Sequence, residues 1–248
     1  MLALIVNTHS SYSDVWPMFF SQLYTYWDPT RWPVYVFSDT PKIDGVVVDV
    51  FKPTILVYNN DISYREQYFE CLRQVKEPFV ITVSEDYIIY GPIDFIALQR
   101  YTNVLGSMKE LSFIGLSRGV DDPGSSVAEN ADLFHRPENG TQVYSQTATI
   151  WRTRDLLKIY EIGPDHHIAD RYPAFEDSAN EICKKMGIKG LLAYRGERKR
   201  GMVHYDNSVF PYIATALVKG KWNIREYQNE LGPLLNDYKI DIMKRGIY

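Results

Sequence analysis

The sequence predicts an α/β protein: one domain built on a mostly parallel central sheet with helices on both faces. Short apolar runs recur at Leu2–Val6, Val34–Phe37, Val46–Val50, Phe79–Val83, Phe113–Leu116, Ala148–Trp151 and Leu191–Tyr194, and helical patterns lie between them. That alternation is what parallel strands joined by helical crossovers require. With 45% hydrophobic and 23% charged residues over 248 positions, the chain has enough apolar material for a large core. No internal repeat, low-complexity tract or linker divides it, so residues 1–248 are read as a single domain.

Taken in order, the first run is a strand, and Ser13 is placed to cap a helix with Pro17 in its first turn and Trp16, Phe19, Phe20, Leu23 and Trp27 on one stripe. Asp28-Pro29 ends it. Ser63 and Glu66 form a capping box for a second helix, whose apolar positions Tyr64, Tyr68, Cys71, Leu72 and Val75 keep helical spacing. Pro78 then leads into the strand Phe79–Val83. From Ser117 to Thr141 the pattern dissolves into Gly, Pro, Asp, Asn and Ser, which predicts an acceptor loop or lid, with a tolerated insertion as the alternative. A helix follows Thr153, the pattern breaks at Gly163–His167, and a further helix is expected over Asp177–Met186, with Lys184 and Lys185 in its last turn and Gly187 beyond it.

The formal net charge of −4 gives no electrostatic footprint for nucleic acid. The N-terminal apolar run lacks the basic flank of a signal peptide, and no stretch approaches the roughly 18 apolar residues of a membrane span, so the expected location is the cytoplasm. Cys71 and Cys183 fall among apolar helical residues and read as free buried thiols. Peripheral membrane contact and oligomeric state are left open at this level.

The most informative feature is Ser84-Glu85-Asp86-Tyr87, two adjacent carboxylates at the end of a buried strand. In open α/β sheets ligands bind outside the carboxyl ends of strands, and one or two carboxylates plus phosphate oxygens are the usual shell of Mg2+ or Mn2+. A second acidic pair, Glu176-Asp177, opens a helix, where it suits both a helix cap and a general base for a hydroxyl nucleophile. Arg195, Arg198, Lys199 and Arg200, between Gly196 and Gly201 or beside them, form a basic loop ahead of His204, which suits a diphosphate or a solvated surface. Gly115-Leu116-Ser117-Arg118-Gly119 matches a hydrolase G-x-S-x-G pattern, but Asp121-Asp122-Pro123-Gly124 breaks the helix that a nucleophile elbow needs. Neither a Walker A loop nor a G-x-G-x-x-G is present.

Several pieces in order then resemble a nucleotide-sugar-dependent glycosyltransferase of the GT-A type, similar to small bacterial and large-DNA-virus members. They are Asn7-Thr8-His9-Ser10, Asp14-Val15-Trp16, Ser38-Asp39, Ser84-Glu85-Asp86-Tyr87, Phe175-Glu176-Asp177 and Gly220-Lys221-Trp222. The resemblance implies a GT-A domain with a nucleotide-sugar half over about 1–116 and an acceptor half over about 117–248. Its Asp-x-Asp motif places the metal on Asp86 and a ribose contact on Ser84, which stands where the first Asp is expected, with Glu85 as the neighbouring acid. It further implies that Thr8, His9, Ser10, Ser38 and Asp39 cradle the nucleoside and that Arg65 touches the base or diphosphate. It also maps the general base onto Asp177, with Glu176 as its competitor, while the basic loop itself suits Arg198 and Arg200 to neutralising a leaving diphosphate, with His204 as a third metal ligand or a phosphate contact.

The expected function is therefore an inverting transfer of a sugar from a nucleotide-diphosphate donor such as a UDP-sugar to a hydroxyl of a glycan acceptor, in polysaccharide assembly, with Mn2+ or Mg2+. Two alternatives accompany it: a non-catalytic nucleotide or sugar binding module of the same fold, and a serine hydrolase using Ser117.

Overall fold

A computed structural model describes residues 1–43, 52–119, 123–137, 142–162, 174–201 and 204–248. Its centre is a nine-stranded sheet in the order β3-β2-β1-β4-β9-β6-β10-β8-β7. The strands are β1 Leu2–Asn7, β2 Val34–Ser38, β3 Thr54–Val57, β4 Phe79–Ser84, β6 Phe113–Gly115, β7 Ser126–Val127, β8 Asn130–His135, β9 Thr149–Arg152 and β10 Gly190–Ala193. A short β5, Ile88–Ile89, lies outside this sheet and pairs with Tyr212–Ile213. The strands β1 to β4 are mutually parallel, as are β6 and β10, while β9 runs antiparallel between β4 and β6 and β8 runs antiparallel to β10 and β7.

Alternation along each strand sorts the side chains into two apolar layers. Leu2, Leu4, Val6, Val34, Val36, Ile81 and Val83 pack with α1 (Trp16–Tyr26) and with Ala97, Leu98, Tyr101 and Leu105 of a later helix, Phe95–Ser107. Ala3, Ile5, Tyr35, Phe37 and Val80 face the other way, onto α2 (Tyr64–Leu72) and the helices Thr153–Ile162 and Ala174–Lys185. In chain order the last three are α3 (95–107), α4 (153–162) and α5 (174–185). Helices thus cover both faces of a mostly parallel sheet, as the strand pattern predicts, and both cysteines are free and buried.

Local chemistry explains the boundaries. The Ser63 hydroxyl accepts from Glu66 N while the Glu66 carboxylate accepts from Ser63 N, so the capping box is complete. Helix α5 starts with Glu176 and Asp177 and ends with Lys184 and Lys185, and Gly187 takes a φ of 63° just beyond it, where a side chain is disfavoured. The expected cap at Ser13 is not formed. Residues Ser10–Tyr12 instead take a 3-10 turn in which the His9 side chain accepts from Ser11 N, and α1 begins only at Trp16, with Pro17 in its first turn.

The stretch 117–141 departs most from expectation. Its described part carries β7 and β8, a hairpin whose longer strand pairs with β10, so it extends the sheet. β7 is only two residues long and β8 is rich in polar residues, so neither shows the apolar run that marks the central strands. The expected strand Val46–Val50 and the break at 163–167 lie outside the described residues.

Candidate functional site

Chain order reverses beside β1: β2 and β3 are laid down on one side, and β4 returns to the other. Crevices at such a switch point receive ligands at the strands' carboxyl ends. A cleft of about 190 Å³ lies there, lined by Asn7, Thr8, His9, Tyr12, Tyr58, Tyr64, Gln67, Ser84, Glu85 and Asp86. Of the sequence-designated residues, Thr8, His9, Ser84, Glu85 and Asp86 therefore share one cavity. Asn7 and Ser84 are register partners at the ends of β1 and β4, so the acidic turn begins where the two strands part.

The floor is rigid. The Thr8 hydroxyl accepts from Trp16 Nε1 at 2.7 Å, and its carbonyl accepts from the Tyr58 hydroxyl at 2.8 Å. Asp39 does not line the cleft; it holds the loop after β1, accepting from Ser10 N at 2.7 Å and Ser10 Oγ at 2.6 Å, with Asn60 Nδ2 at 3.3 Å and His9 Nε2 at 3.4 Å. Burial alone would raise its pKa, but these donors outweigh it and the carboxyl sits below its ordinary range. Ser38 is fully buried and its hydroxyl accepts from Thr40 N. Ser10, Ser38 and Asp39 thus support the cradle that the resemblance assigned to them as direct contacts.

Glu85 is buried, and burial followed by the neighbouring Asp86 charge drives its carboxyl well above the usual range, against a hydrogen bond from Thr8. Burial likewise raises Asp86. Two hard oxygen donors side by side suit Mg2+ or Mn2+, and a cation offsets both the burial of the two carboxylates and the Asp86 charge that raises Glu85. Among the described residues no group of three His, Cys, Asp or Glu could form a complete protein cage. The remaining ligands would come from phosphate and water, which is the usual arrangement for these ions at nucleotides.

That same observation corrects His204, which is not brought to the acid pair. It sits in a two-residue strand paired with Lys199–Arg200, where burial lowers its pKa and Glu226 is the opposing charge. Arg200 is a second correction. Its guanidinium is buried, donates to both oxygens of Asp206 at 2.9 and 3.0 Å, pairs with Glu230 and lies 5.1 Å from the Tyr227 ring centre. It is consumed by a structural ion cluster and is unavailable to a diphosphate. Arg65 is a third, because it donates to Tyr160 O at 2.6 Å and is not among the cleft residues. Arg198 remains exposed.

The second acidic pair is linked to the first through one loop. Tyr87, next to Asp86, donates its hydroxyl to Gln146 O at 2.8 Å, and Gln146 N donates to Glu176 Oε1 at 3.0 Å, with Gln142 Nε2 also at 3.0 Å. Glu176 is half-buried, and burial raises its pKa against those hydrogen bonds. Asp177 is exposed on the same turn of α5. A raised folded pKa means stability is fully present below the unfolded Glu value of about 4.3 and is lost as pH rises through the folded value. Glu176→Gln keeps an acceptor oxygen without the charge, so its Tm should exceed wild type at pH 7.5 and match it near pH 4, as melting curves at both pH values will read.

Ser117 is not held as a nucleophile elbow would hold it. It is buried, its Oγ lies 3.2 Å from Tyr205 O, and the described residues after β6 contain no helix for an elbow. Composition and motif reading also missed cleft residues. Tyr58 directly follows β3, so the strand-end rule would have found it had the short run Thr54–Val57 been read as a strand. Arg245, which does not line the cleft but braces the loop beside it, carried no local signal at all. It reaches back to Asp14, with Nε 2.7 Å from Oδ2, and to Ser11 O, it stacks 4.6 Å from the Tyr12 ring centre, and its charge is felt by Glu85.

The protein is thus a mixed α/β chain with a buried acidic cleft at the switch point of its sheet. No protein-family model matches the sequence, and no curated protein does. Among solved structures it is similar to CMP:2-keto-3-deoxy-manno-octonic acid synthetase complexed with CTP, at 14% identity over 78% of this chain and 89% of that one, with a TM-score of 0.49. A cytidylyltransferase from Leptospira borgpetersenii is similar over 100% of this chain and 98% of its own, at 12% identity and a TM-score of 0.49. S. aureus TarS 1-349 is similar at 16% identity over 84% of this chain, with a TM-score of 0.47, and the chain spans 60% of it. Each score is below 0.5, so the fold stands on the strand order described above and no activity is assigned by likeness. No helix among the described residues is long and apolar enough to cross a membrane.

Proposed function

We propose that this protein is a glycosyltransferase that moves a sugar from a nucleotide-diphosphate donor to a hydroxyl of a glycan acceptor, with inversion at the anomeric carbon. The observation that carries the reading is the Glu85-Asp86 pair in the cleft between the ends of β1 and β4, beside a nucleoside-sized wall of Thr8, His9 and tyrosine rings. Asp86 is the principal holder of Mg2+ or Mn2+, with Glu85 beside it. A divalent cation there supplies charge neutralisation for the departing nucleoside diphosphate. Tyr12, Tyr58 and Tyr64 present ring surface for a base or ribose, and Ser84 stands where the ribose hydroxyls would lie.

Asp177, exposed at the start of α5, takes the proton from the acceptor hydroxyl. Glu176 positions that helix start by tying it to Gln146 and so to the acid-pair turn. Asp177→Asn should lower turnover by about 100-fold or more, the usual worth of a general base. The test is release of nucleoside diphosphate from a panel of nucleotide sugars, UDP-sugars first, with Mn2+. One donor should be consumed by wild type, and Asp177→Asn should slow it; wild-type rates in that variant would remove the assigned base. Ser84, in place of the expected first Asp, favours one competing reading, a binding module without chemistry. That module would bind the donor and release no nucleotide from any of the panel.

A further inference from the structure

Two of the ordered motifs, Asp14-Val15-Trp16 and Gly220-Lys221-Trp222, supply no residue to the lining of the cleft. Arg245 joins both of them to it. Trp222 is fully buried, and its backbone holds the segment after Arg245: Trp222 N donates to Gly246 O at 3.0 Å, and Tyr248 N donates to Trp222 O at 3.0 Å. The Gly246 N–H closes the short helix Ile242–Arg245 on Ile242 O at 2.8 Å, so Arg245 stands where that helix meets the strand Lys221–Trp222. From there the guanidinium crosses to the loop between β1 and α1. Its Nε donates to Asp14 Oδ2 at 2.7 Å, its Nη2 donates to Ser11 O at 2.9 Å and to the second Asp14 oxygen, and it lies 4.6 Å from the Tyr12 ring centre. The Arg245 and Asp14 side chains are 13% and 17% exposed, so water and salt screen the pair little.

Tyr12 is the residue that this arrangement fixes. Its loop is held at Ser10 by Asp39 and at Ser11 and Asp14 by Arg245, with Tyr12 between the two clamps. The same tyrosine lines the cleft together with Glu85 and Asp86. Burial, then the charges of Glu85 and Asp86, push its hydroxyl above the ordinary value against the Arg245 charge, which puts the ring within electrostatic reach of both. A planar guanidinium that stacks on a ring while its N–H groups are fixed elsewhere restrains that ring, and an aromatic wall already in place leaves less to be ordered when a nucleoside binds. A lysine ammonium can pair with Asp14, but it lacks the fork that engages Asp14 and Ser11 O together.

We infer that Arg245 is a positioning residue for the donor: from outside the cleft it holds Tyr12 in the cleft wall, and through that ring it sets the affinity for the nucleoside diphosphate. This rests on the reading of the cleft as a nucleotide site. Titration calorimetry of the full chain with UDP, CDP and GDP in Mn2+ identifies the nucleotide that wild type binds most tightly. That nucleotide is then titrated into Arg245→Met, Arg245→Lys, Tyr12→Leu and the variant carrying both Tyr12→Leu and Arg245→Met. Arg245→Met and Tyr12→Leu should each weaken binding by about 10-fold, the worth of one base stacked on a ring, and Arg245→Lys should recover part of that loss.

The variant carrying both substitutions decides between positioning and general support. It should bind within about 2-fold of Tyr12→Leu alone, because without the ring the guanidinium has nothing to position, whereas a general loosening of the fold multiplies the two losses to about 100-fold. With a sugar donor, Arg245→Met should raise KM and leave kcat within about 2-fold of wild type, the pattern of lost binding that is equal in ground and transition states. If Arg245→Met fails to fold, the same cycle is run with Arg245→Lys, whose loss of about 3-fold should likewise vanish in the Tyr12→Leu background. Multiplied losses, or an Arg245→Met or Tyr12→Leu protein that binds nucleotide as wild type does, overturn the role of Arg245 and leave the nucleotide site standing. A wild type that binds none of the three nucleotides removes the site and the inference together.

Discussion

Asp86→Asn should reduce nucleoside diphosphate release by about 100- to 1,000-fold, the usual consequence of removing one group that meets charge developing in a transition state. The same substitution should raise the melting temperature of the metal-free protein. Burial raises the Asp86 carboxyl, so its ionised form is a cost to the fold at neutral pH, and its charge in turn helps raise the neighbouring Glu85. Asparagine is nearly isosteric and carries no charge. Loss of activity with a gain in Tm is the signature of a charge kept for function at the expense of stability. Loss of both would mean that the carboxylate holds the turn together, and retention of activity would remove Asp86 from the chemistry.

Arg200→Met has the opposite signature. Among the described residues the guanidinium is the only cation contacting both Asp206 and Glu230, and it also donates to Glu226 O at 3.0 Å. Removing it leaves two largely buried carboxylates facing each other, a situation that costs about 3 kcal/mol. For a chain of this size that corresponds to a fall in Tm of roughly 6 to 12 °C. Arg198→Met, at an exposed position two residues away, should stay within about 0.5 kcal/mol of wild type. Chemical denaturation of the two variants reads the contrast directly, and equal small losses would contradict the structural role given to Arg200.

These two residues show what the sequence makes legible. Glu85 and Asp86 were readable because they follow a buried apolar run, and strand ends at a sheet's carboxyl edge are where such folds place ligands. The strand alternation, the Ser63–Glu66 capping box and the Gly187 terminus were readable for the same reason, being local patterns set by backbone geometry. Arg200 and Arg198 look alike in sequence. Only the fold brings Asp206 and Glu230 around one and leaves the other in water. Arg245, 231 positions from Asp14 in the chain, has no local pattern that would announce the contact. The hairpin β7–β8 was missed because β7 is a two-residue edge strand and β8, Asn130–His135, is rich in polar residues and mostly half-exposed, so neither carries the apolar run of the central strands.

The central claim is that the cleft between β1 and β4 binds a nucleoside diphosphate through a cation held on Asp86. Thermal-shift measurements of wild type and Asp86→Asn with UDP, CDP and GDP, each with and without Mn2+, test it most directly, since a ligand of the folded state raises Tm by mass action. One nucleotide should stabilise wild type only when Mn2+ is present, and that increment should vanish in Asp86→Asn. Stabilisation that needs no Mn2+ and survives the substitution, or no stabilisation by any of the three, would contradict the account.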